Sequence, residues 1–256
     1  VSTDMNLAGG IYRDVDLLVT GENIISPLHH SSDGVYVVPQ SVTEDVAKGV
    51  VRLYVSAPKL DHTSVMMRIV GGDGYEVDHH IIRNAKLVEG RPIELPFEFN
   101  NPQLWSPASP TLYTVEVTLG DARNPEDVVT LETGFRDISI SDDNRLCING
   151  VPIAVRGVNV AHDRGFKGVA LSKADMDADL DIIADMGANA LRSIYGPHDQ
   201  HLYDRCDRDG LLVWVDVPFS RSPVSFSDIC YYPSPAFREN GLKQLEEIVA
   251  QNMNHP

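Results

Sequence analysis

Basic residues are scarce in this chain. Its 256 residues hold 21 Lys and Arg against 37 Asp and Glu, a formal net charge of −16. The imbalance argues against a nucleic-acid partner and against an anionic membrane surface, because a phosphate layer would be repelled rather than neutralised. Cysteine is scarcer still. Cys147, Cys206 and Cys230 are too few and too scattered for a disulfide framework, and their spacing fits no zinc pattern. No run approaches the ~18 apolar residues of a membrane span. The opening residues lack the charged start and apolar stretch of a secretory signal, so the chain is expected to begin inside something longer. No Ser nucleophile elbow is present, which removes an esterase. His29-His30 and His79-His80 are adjacent pairs expected in or beside turns. His198 and His201, spaced to share a helix face, have no third ligand nearby, so neither a metal nor a cofactor is expected.

What the chain does have is the makings of two packed cores. Hydrophobic residues are 43% of it and charged residues 23%, and the length suits two domains of ordinary size. Ile11–Val19 reads as strand-like. Val50–Ala57, Val65–Val70, Ile93–Phe99 and Leu112–Leu119 alternate with the period of two that turns one face inward. Gly71-Gly72-Asp73-Gly74 separates two of these runs and is a turn rather than a phosphate cradle, since no helix follows it. Strands at this spacing with no helices between them imply a β-sandwich of about immunoglobulin size.

After Asp142-Asp143-Asn144 the pattern changes. Ile153–Val160 is a nearly continuous apolar strand, suited to a sheet buried on both faces. Ser172 opens a helix, with Asp175 completing a capping box and Met176, Leu180, Ile183 and Met186 at helical spacing before Gly187. Asn189–Ile194 is a strand, Asp199–Arg208 a helix, and Leu211–Val217 a third strand. Ser234-Pro235 begins a last helix with Leu242, Leu245, Ile248 and Val249 on one side. The order β-α-β-α-β-α with short connections predicts parallel strands. Three such units are part of an eight-stranded barrel or an open doubly wound sheet, and periodicity does not choose between them.

Several strings together resemble glycoside hydrolase family 2. Gly9–Val15 looks like the segment closing that family's sugar-binding jelly roll. Asn101–Pro107 with Pro110–Tyr113 looks like late strands of its immunoglobulin-like domain. Gly134-Phe135-Arg136 and Leu146–Asn159 look like the crossing into its barrel. Asn189–Trp214 matches a family signature at Asn189, Arg192, Pro197, Asp207, Gly210 and Leu211–Trp214, and Asn254-His255-Pro256 looks like the start of a second. One departure stands out: Tyr195-Gly196-Pro197 replaces the family's His-Tyr-Pro. In β-galactosidases that His helps to hold the sugar.

The resemblance implies an immunoglobulin-like β-sandwich followed by the first three βα units of a (β/α)8 TIM barrel. The expected domains are 1–29, the tail of the jelly roll; 30–142, the sandwich; and 143–256, the start of the barrel. It implies a carbohydrate substrate and a fragment of a retaining enzyme that hydrolyses terminal β-glycosides, first of all β-galactosides. A β-glucuronidase or β-mannosidase of the same family is the alternative. A non-catalytic carbohydrate-binding or interaction module is the reading from another class. Both family Glu residues are expected beyond Pro256, so no catalytic residue is assigned here. Barrel enzymes build their sites at the C-terminal ends of the strands. The residues expected to bind substrate are therefore Arg192, Tyr195, His198, His162, Asp163 and Asp216, with Arg192 placed to orient the nucleophilic carboxylate. Self-association through the incomplete barrel is expected of the isolated chain, and relatives suggest a periplasmic or extracellular home.

Overall fold

The computed structural model describes residues 10–88, 90–218 and 235–256. The chain divides into two compact units, Leu17–Ala154 with Ala250–Pro256, and Val1–Asp16 with Val155–Val249.

The first is built from β1 (Ile24–Ile25), β2 (Val35–Val42), β3 (Val46–Leu53), β4 (Val55–Ser56), β5 (His62–Val70), β6 (Glu76–Lys86), β7 (Ile93–Asn100), β8 (Tyr113–Asp121) and β9 (Asn124–Thr133). Two antiparallel sheets, ordered β2-β3-β7 and β6-β5-β8-β9, give the three-plus-four strands of an immunoglobulin-like sandwich. The alternation read from the sequence is the packing: along β7 every second residue from Ile93 is buried and its neighbours face out. Phe135 sits at the centre, fully buried, with the rings of Phe97, Phe99 and Tyr113 at 5.5, 5.2 and 5.1 Å. These tilted and edge-on contacts add to what burial alone contributes. A small antiparallel sheet of β10 (Ile138–Ile140), β11 (Leu146–Ile148) and β12 (Val151–Pro152) follows.

The four expected strands are present, with Val50–Ala57 divided between β3 and β4. Gly71–Gly74 is the β5–β6 turn, closed by Gly71 N–H to the Tyr75 carbonyl at 2.8 Å. β1, β2, β6 and β9 were not named from the sequence, and for β6 and β9 the reason is their position. These two are the edges of the four-stranded sheet and leave most side chains in water, so little apolar alternation marks them. His79-His80 consequently lies within β6, not at a turn, and His79 pairs with Glu76 at 3.0 Å. Ile11–Val19 forms no strand, and Ile11, Leu17 and Val19 are exposed. A period of two makes a strand only where a sheet edge is there to pair with.

The second unit alternates β13 (Gly157–Val160), α1 (Lys173–Asp185), β14 (Ala190–Ser193), α2 (Gln200–Asp209), β15 (Leu212–Val215) and α3 (Pro235–Asn252). The three strands are parallel in the order β13-β14-β15. They are the first three βα units of a TIM barrel, and no closed barrel exists among the described residues. Ser172 and Asp175 cap α1 reciprocally as expected. Asp199 caps α2, and Gly210 ends it at φ 74°, a left-handed conformation costly for a side chain with a Cβ.

Met176, Leu180 and Ile183 of α1 pack with Leu202, Tyr203 and Cys206 of α2 against Leu191. Met186, expected on that stripe, is exposed; it is the C-cap residue, one past the last residue of the helix. The strand expected over Ile153–Val160 is only Gly157–Val160. Val151–Pro152 is spent on an antiparallel pair, and parallel pairing starts where Gly157 meets Ala190. On α3, Leu242, Leu245 and Val249 are exposed. The proposed cap Ser234 and the third cysteine, Cys230, lie outside the described residues.

Candidate active site

Strand polarity decides which side chains meet. Val158, Leu191 and Val213 are in one register row, and Val160 with Val215 lies in another; these residues pack on α1 and α2. Side chains one residue along point the other way. Asn159, Arg192 and Trp214 therefore form a row across the opposite face, all three exposed.

Arg192 reaches along this face to the end of β15. Its Nε and Nη2 donate to the two oxygens of Asp216 at 2.7 and 2.9 Å. This is the planar two-point pairing that a guanidinium makes and an ammonium does not. Asp216 also accepts from the Tyr195 backbone N–H at 3.3 Å. The Arg192 hydrogen bonds hold its carboxyl below the usual carboxylate range.

Beside this pair, beyond the ends of β13 and β14, is a cavity of ≈190 Å³ lined in part by Tyr12, Arg13, His162, Asp163, Tyr195 and His198. The His162 and His198 rings are 5.2 Å apart. His198 is almost fully buried, at 4% exposure. His162 Nδ1 and both ring nitrogens of His198 are buried with no hydrogen-bond partner. Burial first, then the neighbouring His162, pushes His198 down to about 4, and burial with Arg13 lowers His162. Both rings are thus neutral near pH 7, each with one N–H donor and one acceptor nitrogen.

The walls are tied down on both sides. Ser193 Oγ donates to the Gly196 carbonyl at 2.7 Å, and the His198 backbone N–H donates to Tyr203 Oη at 2.6 Å. Tyr195 sits at φ 71° and Gly196 at φ 148°; a tyrosine in the left-handed region is uncommon and is held there by its surroundings. The loop after β13 is anchored through Asp175, which takes Arg164 Nη1 at 2.8 Å, Lys167 Nζ at 2.6 Å and Ser172 Oγ at 2.6 Å. Those contacts, Lys167 foremost, keep Asp175 ionised well below the usual range.

Of the six residues expected at the site, His162, Asp163, Tyr195 and His198 share the cavity wall, while Arg192 and Asp216 form the adjoining pair. His198 precedes α2 rather than sharing a helix face with His201, which instead meets Asp177 at 2.9 Å. Arg13, Ser193 and Tyr203 were missed. Arg13 stood within the Gly9–Val15 string, while Ser193 and Tyr203 reach the site only by folding. Tyr203→Phe leaves the buried His198 N–H without an acceptor. The variant should lose about 1–3 kcal/mol, read as a lowered urea midpoint with an unchanged slope; an unaltered midpoint would mean another group or water takes the bond.

Comparison with known proteins is consistent along the whole chain. The model for glycosyl hydrolases family 2 matches residues 33–136, and that for the family's TIM barrel domain matches residues 138–256. A β-glucuronidase of Bacteroides fragilis is 35% identical over 99% of this chain and 36% of its own length. A β-galactosidase of Thermoanaerobacter pseudethanolicus is 26% identical over 99% of the chain and 32% of its own. The crystal structure of a Bacteroides uniformis β-glucuronidase superposes with a TM-score of 0.80 at 27% identity, covering 93% of this chain and 28% of that one. The chain thus spans about a third of the length of the curated relatives it matches.

Proposed function

The chain belongs to glycosyl hydrolases family 2, and from that premise we propose that it is part of a retaining β-glycosidase whose sugar site includes the ends of β13, β14 and β15. The observation that carries this reading is the Arg192–Asp216 pair, a fixed two-point ion pair at adjacent parallel strand ends on the face away from the helices. Retaining hydrolysis needs a nucleophilic carboxylate held ionised and aimed at the anomeric carbon, with a second carboxyl ~5–5.5 Å away as acid and then base. Arg192 uses two of its five N–H donors on Asp216, and the rest are available to a nucleophile contributed by the remainder of the protein. Asp216 keeps the guanidinium from swinging. His162, Asp163, Tyr195 and His198 bind the sugar beside it.

A β-glucuronide is the substrate class favoured here, ahead of the β-galactoside that the sequence alone put first. Tyr195-Gly196-Pro197 lacks the imidazole that β-galactosidases use at this place, and the 35% identical relative is a β-glucuronidase. The galactoside reading retains the support of the β-galactosidase relative. A full-length protein containing this chain, tested on nitrophenyl β-glycosides, should turn over the glucuronide with the highest kcat/KM. Preference for the galactoside would return the assignment to β-galactosidase, and no turnover of any β-glycoside would remove the enzymatic reading.

A further inference from the structure

We propose that Asn254 is a positioning residue: its side-chain amide latches the segment leaving α3 onto an edge of the sandwich, and so fixes where the following part of the protein starts. The proposal rests on the glycosidase reading above.

Residues 250–256 end α3 and carry the chain out of it, and they belong to the sandwich unit. Among the described residues β2 pairs only with β3, so its other side is a sheet edge. The Gly34 carbonyl is turned towards β3, where it accepts from the Tyr54 N–H at 2.9 Å. Backbone direction alternates along a strand, so Val35 and Val37 present their groups outwards. Outward groups left unpaired are a template for another strand.

Asn254 takes the place of that strand. Its Nδ2 donates to the Val35 carbonyl at 2.8 Å, and its Oδ1 accepts from the Val37 N–H at 2.9 Å. One carboxamide makes the two bonds that a neighbouring strand would make on either side of Tyr36. Only Asn and Gln carry a donor and an acceptor on one planar amide.

Two further contacts make the attachment more than one side chain deep. Gln251 Nε2 donates to the His30 carbonyl at 2.9 Å. Pro256 closes against Gly134 and Trp105: a Cβ on Gly134 would stand 2.8 Å from Pro256 Cβ and 2.8 Å from Trp105 Cβ. Trp105 is itself fully buried, and its carbonyl takes Asn149 Nδ2 at 3.0 Å. Asn101–Pro107, Gly134-Phe135-Arg136 and Asn254-His255-Pro256, distant strings in the sequence, therefore meet at one joint. None of these residues lines the His162–His198 cavity. The joint acts instead on what comes after Pro256, where both family Glu residues are expected. Reaction geometry is steep, and a misplacement of ~1 Å caused far from the chemistry costs up to about a hundredfold in rate.

The test compares Asn254→Ala with Asn254→Asp. The second keeps the shape and an acceptor for Val37, but an ionised carboxylate cannot donate to the Val35 carbonyl and is repelled by it. In the 256-residue chain, hydrogen exchange of the Val37 amide should speed up about tenfold or more in Asn254→Ala. The amide of Val117, buried in β8 between two strands, should keep its protection. In a full-length protein containing this chain, assayed well below each variant's Tm, both changes should lower kcat on nitrophenyl β-glycosides about tenfold or more. KM should stay within about twofold, because the side chains proposed to bind the sugar are untouched. Val37 exchanging at the wild-type rate in Asn254→Ala overturns the latch. Val117 loosening as much as Val37, an unchanged kcat, or a KM that rises by the factor kcat falls makes Asn254 merely structural, and each overturns the proposal. Failure of the two readings is distinguishable. A full-length protein that cleaves glycosides, with Val37 unmoved in the variant chain, sinks this inference alone. Selective release of Val37, with no glycoside cleaved by the unaltered full-length protein, sinks the glycosidase reading and leaves the latch standing.

Discussion

Arg192→Ala, made in a full-length protein containing this chain, should lower kcat/KM by roughly a hundredfold, the size of loss seen when one preorganised electrostatic contact is removed. Thermal unfolding should hardly change, because Arg192 lies on the exposed face, apart from the α1–α2 core. Arg192→Lys should recover little of the activity, since a single ammonium cannot span both oxygens of Asp216 and a nucleophile at once. Asp216→Asn keeps the shape and loses the charge. It should cost less, about tenfold, and the double variant should be no slower than Arg192→Ala alone, because both act through one pair. The Asp216 carboxyl is held down, so the pair's contribution is present above the ordinary carboxylate pKa and is lost only as pH falls through the lower folded value. The penalty should therefore be the same at pH 5 and pH 7. Near-normal kinetics in Arg192→Ala would return the residue to a purely structural ion pair.

The sandwich was legible in the sequence wherever a strand has one face in the core and one in water. β5, β7 and β8 are of that kind, and β6 and β9, exposed along much of both faces, are not. The capping box at Ser172 and the stop at Gly210 were legible because each is a local hydrogen-bonding or φ requirement. Met186 was not, because a heptad-like spacing says nothing about where the helix ends. At the site the strand-end residues could be named from position. What could not be read was which of them share a cavity: His162 and His198 are 36 positions apart in the sequence and meet only because β13 and β14 pair in register. The Arg13 contribution needed the fold still more. The Ser193–Gly196 and Tyr203–His198 bonds, which hold the cavity wall, join residues whose types carry no chemical signature of their own.

The chain by itself should hydrolyse no β-glycoside, a loss of several orders of magnitude relative to the full-length protein. A retaining site requires one carboxyl that keeps its proton near neutral pH to protonate the leaving oxygen, which takes burial or a like charge to raise its pKa. Among the described residues, Glu76, Asp143, Asp175, Asp177 and Asp216 are all held down, in each case foremost by a hydrogen bond to a guanidinium, ammonium, imidazole or hydroxyl group. Asp216, the one at a strand end, is also committed on both oxygens to Arg192. It has no proton to give, and its two oxygens already accept from Arg192 and from the Tyr195 N–H. Asp163 stands on the cavity wall, but a single carboxylate cannot serve as nucleophile and acid together. Purified chain, free of host glycosidases, should leave nitrophenyl β-glucuronide and β-galactoside intact under conditions where the full-length protein consumes them. Turnover that survives purification and disappears with Asp163→Asn would show that Asp163 works with a carboxyl that the described residues do not supply.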